Sequence, residues 1–174
     1  MCRTALTTLV LAALAAWASG QTGPPPGETA GERMNQFARN RVLVELLVTR
    51  GVELAGADDP LVRAQVCYVA AGEIGGRLRE AVAAGDPVRV AELAEYLAAV
   101  ARDGLIPTLW DARRAIPAGT HDEETLVKLR DDAAAGLGQF AAAVPADGRF
   151  GTSARVQSAR RHLTEARGAL EQIK

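Results

Sequence analysis

Hydrophobic residues along this chain recur at intervals of three and four, in stretches separated by glycine and proline, the signature of amphipathic helices. From residue 120 the set Leu126, Leu129, Ala133, Leu137, Phe140 and Val144 falls on one helical face. From residue 152 the set Val156, Ala159, Leu163, Ala166, Leu170 and Ile173 does the same. A helix over 60–84 carries Cys67, Ala71, Ile74 and Leu78 at helical spacing, and one over 87–102 carries Val90, Leu93, Leu97 and Val100. The helix predicted over 30–55 differs from these. Phe37, Val44, Leu47 and Leu54 mark an inward stripe, but Val42, Leu43, Leu46 and Val48 widen it around most of the axis. A surplus of that kind must be covered by another helix, by the segment around Trp110, or by a second subunit.

The breaks between these stretches have their own chemistry. Gly56 and Asp58-Asp59-Pro60 supply a helix stop, an N-cap and a proline at the first helical position. Gly85-Asp86-Pro87 repeats that order. Thr29 with Glu32, and Thr120 with Glu123, have capping-box spacing. Pro107 and Pro117 bracket a short helix, Thr108 to Ala115, expected to fold across the end of the bundle. The predicted fold is all-α: an antiparallel bundle of four to five helices, with a short proline-bracketed helix at one end.

The N-terminal region reads otherwise. Arg3, an apolar run from Ala5 to Ala18, and small residues at Ala18, Ser19 and Gly20 form the pattern of a secretory signal peptide over residues 1–20. Cleavage after Ala18 or after Gly20 fits the small-x-small rule, the second leaving Gln21 first, and an uncleaved N-terminal anchor is the alternative. Residues 21–31, rich in proline and glycine, have nothing to bury and read as a disordered tether, with the helical bundle domain over residues 32–174. Cys2 leaves with the signal, so Cys67 is the one cysteine of the mature chain and is expected to be a buried core thiol. Only Lys128 and Lys174 among 20 basic residues are lysines, and alanine and glycine abound, which reads as a GC-rich bacterial genome. The expected location is the periplasm or the cell surface.

Composition then narrows the function classes. A net charge of −1 leaves no electrostatic footprint for nucleic acid, and 4% aromatics are too few for a base-stacking or sugar-binding platform. No Gly-x-Ser-x-Gly elbow occurs. Ser158 and His162, one turn apart, lack an orienting carboxylate, so no catalytic set is expected. His121, Asp122, Glu123 and Glu124 are the densest run of metal-ligand types, with His162 and Glu165 as further candidates, but acidic residues there also complement the positive end of a helix. No metal and no cofactor is expected.

Three features point instead to contacts with other molecules. Trp110 with Arg113 and Arg114 has the composition of an interface anchor, although a tryptophan capping the core is the simpler reading. Arg160 and Arg161 belong to a stretch including Arg149, Arg155, Arg167 and Lys174, a solvated flank or a strip for an anionic membrane or cell-wall polymer. Val42 and Leu46 represent the apolar surplus of the first helix, where a second copy would set Glu45 opposite Arg41 or Arg50. Glycines at 72, 75 and 76 are expected to admit a close helix neighbour, with a kink at Gly75-Gly76 as the alternative. The expected function is an exported, non-enzymatic interaction or scaffold domain, with a bundle that binds a divalent metal or an apolar small molecule as the alternative.

Overall fold

The computed structural model describes residues 30–174, and every regular element among them is helical. The expected signal peptide and nearly all of the expected tether lie outside the described residues. By its contacts the chain divides into two units, residues 1–42 and 43–174, with the boundary inside the first helix. That helix, α1 (Ala30–Gly56), begins early enough to take in Ala30 and Gly31, the last residues assigned to the tether. In the first unit, Met34 and Val42 are exposed, and the Phe37 side chain lies outside the described set.

The second unit is built from helices that start and stop where local chemistry dictates. Helix α2 (Pro60–Ala84) is capped by Asp59, whose carboxylate accepts the Leu61 N–H at 2.8 Å. It ends on Gly85, whose φ of 67° is open to glycine at little cost. There the Asp86 N–H donates to the Ala81 carbonyl and the Gly85 N–H to the Val82 carbonyl, closing the end of the helix as a Schellman motif. Asp86 at once caps α3 (Pro87–Ala99) by accepting the Arg89 N–H at 3.0 Å. The two-residue link reverses the chain, so α2 and α3 are antiparallel neighbours.

Helix α3 does not stop near Arg102. Helical structure runs on through a π-helical segment, Val100–Leu105, into α4 (Ile106–Ala115). The cause is Pro107, which has no N–H to give and whose ring would collide with the carbonyl four residues back in a regular α-helix. Widening the turn relieves this: the Ile106 N–H donates to the Ala101 carbonyl, five residues back. The Thr108 hydroxyl lies 2.9 Å from the Gly104 and Leu105 carbonyls, giving them a donor. The short helix is thus present, with Pro107 in its first turn and Pro117 beyond its end, but it grows out of α3 and packs along α2.

Helix α5 (His121–Ala143) is capped by Thr120 and α6 (Ala154–Glu171) by Ser153, with one helical turn, Gly148–Gly151, between them. That turn brings Phe150 into the core. All of the inward residues expected on α5 and α6 are buried. Helices α3 and α4 run on in one direction, and hydrogen bonds between distant residues fix how the others meet. Arg155 at the start of α6 grips Glu95 of α3 at 2.8 and 2.7 Å, while Arg113 of α4 donates to the Lys174 carbonyl at 2.6 Å. Residues 95–113 and 155–174 therefore run side by side in the same sense, and α2 and α5, which also pack together, do likewise.

Cys67 is buried beside this π-helical segment, its sulfur close enough that a Cβ on Gly104 would sit 3.2 Å away. Burial pushes the thiol above its ordinary pKa, against a smaller opposing effect from its hydrogen bond with Thr108. A buried thiol with little thiolate is a poor nucleophile. Cys67 is accordingly expected to react with a maleimide reagent only as fast as the fold opens, and to label at once in denaturant. Rapid labelling of the native protein would contradict this placement.

Candidate interaction surfaces

Helix α1 turns Leu43 into the core of the second unit, with Leu47 and Leu54 packed against it on the same side. On that side too Arg50 forms a two-pronged pair with Glu73 of α2, at 2.7 and 3.1 Å, and a further bond to Glu53 at 2.7 Å. The Arg50 guanidinium holds the Glu73 carboxyl below its usual pKa range. This seating corrects the expected stripe: Val44 points outward and Leu43 takes the inner position. The physical reason is that Leu43, Leu47, Arg50 and Leu54 repeat by four, three and four, so the larger leucines face the core on the side where Arg50 reaches Glu73 of α2.

What remains outside is a line of valines one turn apart. Val44, Val48 and Val52 are 51%, 60% and 68% exposed. Gly51 beside them faces open space. Among the described residues nothing covers these valines, so this part of the apolar surplus stays exposed. Of the residues singled out from sequence here, Val42 is exposed and Leu46 is half-buried. Val52 lies beyond the dense apolar run ending at Val48, and spacing by four from Val44 and Val48 is the signal that reaches it.

The Trp110 group does not come together as one patch. Trp110 is 40% exposed, so it does not serve as a buried cap on the core. Thr108, Leu109 and Ala112 take the inner face of α4 and leave Trp110 and Arg114, one turn apart, on the outer one. Arg114 pairs with Asp111. Arg113 faces elsewhere: besides the Lys174 carbonyl it reaches Glu123 at 3.2 Å, tying α4 to the start of α5. Its role in the fold is to close the far end of the bundle, together with Arg130, which donates to the Ile173 carbonyl at 2.6 Å.

The basic stretch near the C-terminus is similarly divided. Arg155 is paired with Glu95, Arg167 with Glu171 at 2.8 Å, and Arg149 lies against Gly85 and over the Phe150 ring. Among the described residues Arg160 and Arg161 make no ion pair, and Arg161 is exposed.

The acidic run at the start of α5 is engaged in capping. The Glu123 N–H donates to the Thr120 hydroxyl, and the Glu123 carboxylate accepts the Gly119 N–H. His121 lies 3.5 Å from Glu124, both almost fully exposed. Among the described residues no three histidine, cysteine, aspartate or glutamate side chains converge as metal ligands. Ser158 and His162 share α6, and no hydrogen bond joins them.

Of the three glycines of α2, Gly75 alone meets a neighbour closely. A Cβ there would overlap the ring of Phe140 from α5. The Arg79 guanidinium lies 5.1 Å from the centre of that ring. Gly72 and Gly76 face open space. Among the described residues no helix is long and apolar enough to cross a membrane.

No known protein family, characterised protein or solved structure matches this chain.

Proposed function

We propose that this chain is an exported, non-enzymatic interaction domain of the cell envelope, and that it acts as a scaffold by pairing with a second copy of itself through α1. The observation carrying this reading is the stripe Val44, Val48 and Val52, exposed on a helix whose other side is anchored by Leu43 and Arg50. Exposed apolar side chains gathered in line mark contact surfaces more often than scattered ones do. The three valines are evenly spaced about Val48. An antiparallel copy related by a two-fold axis there sets Val44 against Val52 of its mate, and Gly51 lets the backbones approach. Isologous pairing of this kind closes on itself. Arg50 is taken up by Glu73 and Glu53 within the chain, so Glu45 does not depend on it for a partner across the contact. Export rests on the pattern of residues 1–20. Arg160 and Arg161 offer a second, peripheral contact for a membrane surface or cell-wall polymer, and no nucleic-acid binding is proposed for a chain of net charge −1.

The test is sedimentation of the chain from Gln21 onward. Wild type is expected to be a dimer at tens of micromolar, and the double variant Val48→Glu, Val52→Glu a folded monomer with unchanged helical circular dichroism. A wild type that stays monomeric at high concentration overturns the pairing. So does a charged variant that unfolds at every concentration, because that result would mean the stripe is covered within the chain.

A further inference from the structure

Between α2 and α5 lies an open groove of about 420 Å³, within the size range of small-molecule sites. Its origin is a wedge. Gly75 admits the Phe140 ring and draws the two helices together there, while Gly72 and Gly136, near the same level, have no side chains to fill the space beside it. A Cβ at Gly72 would touch nothing within 4 Å, and one at Gly136 only the Phe140 ring at 3.9 Å. Leu105 joins the lining from the π-helical segment, a kind of distortion concentrated at functional sites.

The charge of the groove selects its occupant. Asp132 is the one charged residue in the lining, and among the described residues it has no ion pair or hydrogen bond. Because α2 and α5 run in the same sense, Tyr68 and Asp132, each about two turns before the Gly75 and Phe140 contact, lie at the same end. An exposed, unpaired carboxylate and an aromatic ring in the same lining attract a cation, and the small-residue walls accept an apolar body. Among the described residues no lysine or arginine lines the groove to hold an anion, and a single carboxylate is too few for a metal. We propose that this groove binds a small organic cation, its apolar body between Gly72 and Gly136 and its ammonium group at Asp132 and Tyr68. The site is independent of the α1 surface.

Octylammonium, octanoate and octanol, titrated below their aggregation limits and followed by amide chemical shifts, test the assignment. Octylammonium is expected to shift Gly72, Leu105 and Gly136, with octanoate far weaker. Asp132→Asn should weaken octylammonium about fivefold, the scale of a partly exposed ion pair, and leave octanol unchanged. Gly136→Leu, which fills the groove and favours helix, should abolish binding without lowering the melting temperature. Equal binding of octanoate, an unaffected Asp132→Asn variant, or binding that survives Gly136→Leu overturns the proposal. It is equally overturned if these amides respond only to a lysine-rich peptide, or to none of the probes at millimolar concentration.

Discussion

Gly75→Ala is expected to destabilise the protein by about 1–3 kcal/mol, the usual range for overpacking a close contact. Gly72→Ala and Gly76→Ala, on the same helix, are expected to stabilise it by about 0.4–1 kcal/mol each. In an exposed helix interior alanine is favoured over glycine because it restricts the unfolded chain and exposes less backbone. That gain is available at Gly72 and Gly76, where a methyl group meets no atom within 4 Å. At Gly75 the methyl group would occupy the place of the Phe140 ring. The ring is buried in the core, with the Arg79 guanidinium of α2 over it, so α2 and α5 must separate to make room. Urea unfolding followed by circular dichroism measures all three variants. Equal responses at the three positions would show that Phe140 does not seat on Gly75.

Leu97→Ala is expected to cost about 2–5 kcal/mol, the range for truncating a buried leucine. Leu97 has no exposed surface, and its neighbours Val90 and Leu93 on α3 and Ala101 in the π-helical segment are as fully enclosed, so the cavity has few ways to collapse. Val52→Ala removes apolar atoms that are mostly in water already, and its effect on monomer stability should stay within about 0.5 kcal/mol. The pair separates core packing from surface patterning in one equilibrium unfolding experiment. A Leu97→Ala variant as stable as Val52→Ala would mean that α3 is not enclosed by α2 and α6.

Much of this architecture is written in short-range chemistry, and the sequence alone determined that part. Asp59-Pro60 and Gly85-Asp86-Pro87 place a cap, a rigid first turn and a left-handed stop within a few residues of one another, so the ends of α2 and the start of α3 need no distant partner. The inward faces of α5 and α6 follow from unbroken spacing by three and four, and Cys67 is buried because it falls on such a face. Other features depend on what stands opposite. Pro107 reads as a break because a proline normally interrupts the hydrogen-bond ladder, and only the packing of α4 along α2 makes the wider π-helical turn worth forming. Arg113 and Trp110 are close in sequence, yet the nearby Lys174 carbonyl and Glu123 draw one inward while the other stays exposed. In α1, apolar residues surround the axis, so periodicity could not choose an inner face. Leu43 joined the core and Arg50 paired with Glu73 of α2, and Val44, Val48 and Val52 were left outside. A pattern fixes a helix, but which side of it is covered depends on contacts between residues far apart in the chain, and those exist only once the fold has formed.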